Sequence, residues 1–239
     1  MAGTFKSSRG AGAATVVLVH GAWADGSSWN EVIARLQCDG VAVVSVQNPL
    51  RSLADDVGCV LRTMEQVEGP VVLVGHSWGG TVITQAGTYD RVLALVYIAA
   101  FAPDRNESTN ALQAHYPAPE YAPLLRMDSG GYLHFPAASL PQYFAQDLPA
   151  ANARVLAATQ GRIRATAFDE VVSSAAWRNT PSWYLVTEHD RMIPPAMQRD
   201  MAARIGARVP SVAASHVPFA SRPSETTAII LEALAEVAA

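Results

Sequence analysis

The 239-residue chain predicts an α/β fold: a mainly parallel, doubly wound sheet of about six strands flanked by helices, with a mostly helical cap inserted into it. Three observations carry that expectation. Short Val/Ile/Leu-rich runs recur without polar alternation, as in strands covered on both faces of a parallel sheet. Amphipathic segments separate them, each suited to a right-handed crossover. One stretch, residues 103–180, abandons this rhythm and turns rich in proline, alanine and aromatic residues before the alternation returns at Pro181.

In chain order, Met1–Ala14 is rich in Gly, Ser and Ala and lacks an apolar h-region, so it reads as a loose lead-in and not as a secretory signal. Strands are expected at Thr15–His20, Val41–Val46, Val71–Gly75, Arg91–Ala100, Trp183–Thr187 and Ala207–Val212. Between the second and third, Leu53, Val57, Val60, Leu61, Met64 and Val67 recur at helical spacing behind Ser52, a plausible N-cap. A helix is expected from Trp78 to about Thr88, another opening on Pro194-Pro195 and closing at Gly206, and a last one over residues 224–238. Residues 1–102 and 181–239 thus form the core and residues 103–180 a cap or lid, with short helices such as Pro149–Thr159. Tyr116, Tyr121, Phe135, Tyr143, Phe144 and Phe168 give that cap apolar surface that must pack on something.

Composition narrows the function classes. Half of the residues are hydrophobic and 16% are charged, against about 25% in ordinary globular domains. The net charge is -4 and Lys6 is the only lysine, so no basic patch supports nucleic-acid binding. The longest apolar run, Val92–Ala102, falls short of the roughly 18–20 residues that a membrane span needs. Cys38 and Cys59 have no metal-ligand spacing and read as buried free thiols of a reduced, cytoplasmic protein.

Chemistry concentrates at Gly75-His76-Ser77-Trp78-Gly79, a G-x-S-x-G between a Val-rich strand and a helix. A serine standing clear of a sheet edge needs a sharp, strained turn, and side chains two positions to either side would collide with strand and helix. The bland alternative is a serine that merely caps the helix. A nucleophilic serine needs a base, and His216 lies on the loop after the last strand, where carboxyl-end loops converge on one crevice. His76 is locked beside Ser77, His20 ends the first strand, His115 and His134 belong to the insertion, and His189 reads as exposed or structural. Asp190, just past a buried strand, is the candidate acid; Asp104 is its rival, and Glu188 is expected to point sideways. Two main-chain N–H groups must hold a developing oxyanion: Trp78, after the serine, and Ala22, which Gly21 lets swing close, with Trp23 as the next choice. Trp23 is also the candidate substrate contact, whereas Trp29 reads as a core residue.

Together, His20-Gly21-Ala22-Trp23, the Gly75–Gly80 turn, Asp190 and His216 resemble the α/β-hydrolase superfamily, over nearly the whole chain. With no antiparallel strands before Thr15, the sequence is similar to its compact esterase branch, which holds plant methylesterases, hydroxynitrile lyases and bacterial esterases. The resemblance implies a sheet of about six strands, a helical cap after the strand ending near Ala100, and no cofactor or metal. Departures matter too. The lyases of this branch carry threonine where Gly21 stands and lysine directly after the base histidine, where this chain has Val217. Epoxide hydrolases and haloalkane dehalogenases use an aspartate nucleophile, unlike Ser77. The plant methylesterases carry a histidine in the oxyanion loop, which this chain replaces around Ala24-Asp25.

The expectation is a serine esterase acting on small to medium, largely apolar carboxylic esters through Ser77, His216 and Asp190. Lactonase, thioesterase, amidase or C–C hydrolase chemistry would use the same groups, and a non-catalytic ligand receptor is the alternative of a different class. The partner is a small-molecule ester, with neither nucleic acid nor membrane expected; a homodimer is open.

Overall fold

The computed structural model describes residues 14–238, so the lead-in lies outside the described residues except for Ala14. Strands are β1 (Thr15–Val19), β2 (Val43–Ser45), β3 (Val71–His76), β4 (Val92–Ile98), β5 (Arg126–Met127), β6 (Tyr132–His134), β7 (Ile163–Arg164), β8 (Ser182–Thr187) and β9 (Ser211–Val212). Helices are α1 (Asn30–Cys38), α2 (Leu53–Gln66), α3 (Trp78–Ala86), α4 (Thr109–Gln113), α5 (Leu140–Tyr143), α6 (Ala150–Thr159), α7 (Pro195–Arg204), α8 (Pro218–Ser221) and α9 (Pro223–Ala238).

Six strands form one sheet in the order β2-β1-β3-β4-β8-β9, and every pair in it is parallel. The Val-rich runs explain this: β1, β3 and β8 are buried along their whole length, because helices cover the sheet on both sides. Helix α3 packs on β3 and α2, while α9 lies across β3, β4 and β8 and against α1. Ser52 caps α2 as its position suggests, accepting the Asp55 N–H on its side chain at 3.0 Å.

Register decides where the strands end. Val19 pairs with Gly75, His76 with Ile98, and Ile98 with Leu185, so the carboxyl ends of β1, β3, β4 and β8 lie side by side. The loops leaving them share one rim of the sheet. The last strand is shorter than expected, two residues in place of six, with a single further bridge from Arg208 to Trp183. Pro210, which has no N–H to give, stands between these pieces.

Between β4 and β8 the chain runs through α4, α5 and α6 and several single-turn 3-10 helices. It also builds a small antiparallel sheet, β5-β6-β7, which the sequence reading does not anticipate. Its aromatic residues do find partners: Tyr121, Phe135 and Phe144 are buried. The cysteines correct another expectation. Neither is bridged, but Cys38 is exposed and Cys59 half-buried, not buried. Cys38 is the last residue of α1, past its buried face, and the Cys59 thiol reaches outward to the Gln47 carbonyl at 3.3 Å.

Candidate active site

Ser77 occupies the turn between β3 and α3 with φ 53° and ψ −121°, a left-handed conformation that few side-chain-bearing residues adopt. Its hydroxyl makes no capping bond to α3, so the plain helix-cap reading does not describe it. The flanking glycines are sterically required: a Cβ on Gly75 would sit 2.6 Å from the Gly79 carbonyl oxygen, and one on Gly79 would run into the Val19 carbonyl.

The loop after β1 crosses directly over this turn. A Cβ on Gly21 would lie 2.7 Å from Ser77 Cβ and 3.2 Å from the Trp78 nitrogen. Ala22 is buried next to it, and among the described residues neither its N–H nor that of Trp78 donates to another main-chain group. The Trp23 N–H, in contrast, is committed to the Gly161 carbonyl at 2.9 Å, so between these two candidates Ala22 is the one left free to donate. Trp23 itself stands at φ 56°.

His20 latches that loop. Its Nε2 accepts the Asn48 main-chain N–H at 2.9 Å, so the proton sits on Nδ1 and is given to the Gly21 carbonyl at 2.9 Å. The Asn48 amide adds a bond to the His20 carbonyl at 2.9 Å. Burial lowers the His20 pKa and keeps the ring neutral, which this tautomer requires.

On the other side, the Trp78 indole donates to Asp56 Oδ2 at 2.8 Å, while Asp56 Oδ1 accepts the Leu50 N–H at 2.8 Å. Burial pushes the Asp56 carboxyl up to about 6, against the lowering effect of these two bonds. Sequence reasoning passed over Asp56 and Asn48. For Asp56 a signal existed: it shares the apolar face of α2 with Leu53, Val57 and Val60, where a carboxylate has no reason to be unless something meets it.

The acid and base meet. His216 Nδ1 and Asp190 Oδ2 are 2.7 Å apart, both side chains fully buried. Asp190 also accepts the Met192 and Ile193 N–H groups on Oδ1, and the Gln198 amide and Thr187 hydroxyl on Oδ2. So many donors hold it as an acceptor, which places the His216 proton on Nδ1 and leaves Nε2 a bare lone pair. That Nε2 is buried and has no hydrogen-bond partner among the described residues. His76, one residue before Ser77, donates from Nε2 to the His216 carbonyl at 2.8 Å, and the two rings are 4.6 Å apart. The base loop is thereby tied to the end of β3. Burial holds the His76 pKa well below its usual value, so it does not compete as a charged group.

The rival acid is elsewhere. Asp104 is paired with Arg178, whose guanidinium holds the carboxyl below its ordinary range. Glu188 points sideways onto Arg199 at 2.6 Å. His115 and His189 are exposed and His134 is half-buried. Trp29 is a core residue against Phe219, their rings 4.8 Å apart.

Ser77, Ala22 and Trp23 open onto a cavity of about 490 Å³, within the range of small-molecule sites. Its walls are mainly apolar, with Tyr121, Leu133 and Phe168 around Trp23. The Trp23 indole is fixed by a bond to the Leu133 carbonyl at 3.2 Å and meets Phe135 edge-on at 5.0 Å and Tyr121 at 6.2 Å. Among the described residues no group of three or more His, Cys, Asp or Glu side chains is placed to hold a metal ion.

The family follows from the fold and is shown by sequence. The chain belongs to the alpha/beta hydrolase family, whose profile matches residues 16–229. It is 35% identical over 121 residues to the carbendazim hydrolyzing esterase of Nocardioides sp.; that match covers 41% of this chain and 47% of the esterase, under half of its length. Among solved structures, a pyrethroid hydrolase from Sphingobium faniae superposes with a TM-score of 0.79 at 21% identity, covering 92% of this chain and 97% of that one. A methylesterase from Arabidopsis does so with a TM-score of 0.79 at 17% identity, over 93% and 99% of the two chains. The chain is thus a member of the alpha/beta hydrolase family with an esterase among its relatives.

Proposed function

We propose that this hydrolase is a cofactor-independent serine esterase for small to medium, largely apolar carboxylic esters. One observation carries the reading: a strained Ser77 lines an apolar cavity, and His76, the residue before it, holds the carbonyl of a histidine whose Nδ1 is engaged by Asp190 and whose Nε2 is bare. Ser77 Oγ attacks the ester carbonyl carbon as its proton passes to His216 Nε2. The carbonyl oxygen becomes an oxyanion and is met by the Ala22 and Trp78 N–H groups, near the positive end of α3. Asp190 stabilises the imidazolium. The tetrahedral adduct collapses, the proton moves from Nε2 to the departing alkoxide, and an acyl-Ser77 remains. Water, deprotonated by the same nitrogen, repeats the sequence and releases the acid. Residues 103–180 act as the cap that shapes the pocket and excludes water.

The names of the relatives support ester hydrolysis, since they include an esterase, a pyrethroid hydrolase and a methylesterase. The test is a panel of p-nitrophenyl esters of rising acyl length, with a lactone and a thioester under identical conditions. The wild type is expected to turn over short and medium esters fastest, and Ser77→Ala to fall to background. A wild type silent on every ester but active on the lactone or thioester would replace this reading by that chemistry.

A further inference from the structure

From the sheet, His216 receives one bond from the end of β3, the His76 Nε2–H to its carbonyl, and little else. The strand leading to it, β9, pairs with β8 through two residues only, Val186 with Ser211 and Thr187 with Val212, and the chain from 213 to 217 has no ladder partner of its own. One main-chain bond, from the His189 N–H to the Ala214 carbonyl at 3.0 Å, links the base loop to the acid loop. A base that must point one lone pair at Ser77 needs firmer support than this.

That support comes from the segment around α5 between β4 and β8. The Asp147 carboxylate accepts the Ser215 N–H on Oδ2 at 2.8 Å, immediately before His216. The Gln146 amide donates to the His189 carbonyl at 2.6 Å, and the Arg191 guanidinium donates to the Gln142 carbonyl at 3.2 Å; His189 and Arg191 are the two neighbours of Asp190. The ring of Phe144, fully buried, stands edge-on to the His216 imidazole at 5.1 Å. Four residues of this short stretch, Gln142, Phe144, Gln146 and Asp147, therefore touch the base or the residues beside base and acid. The arrangement is made at a cost, because Asp147 Oδ1 and Gln146 Oε1 are buried without partners among the described residues.

We infer that residues 142–147 are a clamp that sets the position of His216, with Asp147 as its principal positioning residue. The inference rests on the serine-esterase reading and adds a consequence to it: the insertion between β4 and β8 that lines the pocket through Tyr121, Leu133 and Phe168 also aligns the base through residues 142–147, so cap placement and proton transfer are coupled.

The test is steady-state kinetics on a p-nitrophenyl ester, with melting temperature measured for each variant. Misplacing a catalytic group by about an ångström costs up to 100-fold. Asp147→Ala is therefore expected to lower kcat by about 10- to 100-fold with KM within twofold, and Asp147→Asn, which keeps an oxygen acceptor, to recover to within about threefold of wild type. Gln146→Ala is expected to lower kcat severalfold and serves as the test if Asp147→Ala does not fold. Wild-type kcat in Asp147→Ala or Gln146→Ala, equal losses in the Ala and Asn variants, or a loss confined to KM would each overturn the clamp. Ser77→Ala in the same assay separates the two failures: residual activity there refutes the serine reading, whereas an inactive Ser77→Ala beside a fully active Asp147→Ala refutes the clamp alone.

Discussion

The indole of Trp78 is hydrogen-bonded to the carboxylate of Asp56 inside the protein, 2.8 Å from nitrogen to oxygen, on the residue that follows the candidate nucleophile. Asp56 is fully buried, and the charged groups that act on it among the described residues, Asp55 and Glu170, are both acidic. Its carboxyl is pushed up to about 6 in the folded protein, from 3.8. Between those values the native state holds a proton that the unfolded chain has released. The stability this group contributes is thus present below about pH 4 and is lost as pH rises through 6. Urea unfolding of wild type and Asp56→Asn at pH 4 and pH 7 checks this. The wild type is expected to lose on the order of 2–3 kcal/mol relative to the variant over that range. A difference independent of pH contradicts it.

Gly21→Ala tests the oxyanion loop without touching a donor. The added methyl has no room against Ser77 Cβ and the His76 carbonyl, 2.7 and 2.8 Å away, so the loop and the Ala22 N–H must move. Loss of one oxyanion donor costs about 100- to 1000-fold in kcat. A drop of that order is expected with KM little changed.

Two aspartates at strand ends make opposite predictions. Asp190→Asn disturbs the tautomer of His216 and is expected to reduce kcat by about 10⁴-fold. Asp104→Asn breaks only a partly exposed pair with Arg178 and is expected to stay within twofold of wild type. Comparable losses in both would reopen the choice between them.

Trp23→Leu removes an indole that Phe135, Tyr121 and the Leu133 carbonyl hold against the pocket. Aromatic contacts contribute about 0.5–1.5 kcal/mol beyond buried area. The expected result is a several-fold rise in KM for aryl-acyl esters with a smaller change for acetate. An equal change for both would mean that Trp23 does not sort substrates.

What could be read from the sequence was what local sterics and periodicity dictate. The unbroken apolar run Val71-Val72-Leu73-Val74 requires a strand buried on both faces, and Gly75 and Gly79 mark places around the turn where a side chain cannot fit. Asp190 and His216 could be proposed because parallel register brings strand ends together, and their side chains do meet. What escaped was everything held by long-range pairing of side chain to main chain. Nothing near Asn48 announces that it will orient His20, nor near Asp147 that it will receive the Ser215 amide, 68 positions away. The small β5-β6-β7 sheet escaped as well, since strands of two or three residues are too short to display alternation.

The central claim is that Ser77 is the residue acylated during turnover. Its most direct test is to treat the purified protein with a fluorophosphonate and locate the adduct by peptide mass spectrometry. The expected result is a single stoichiometric modification on Ser77, absent from Ser77→Ala and strongly slowed in His216→Ala. An adduct on any other residue, or undiminished labelling of Ser77→Ala, would contradict the account.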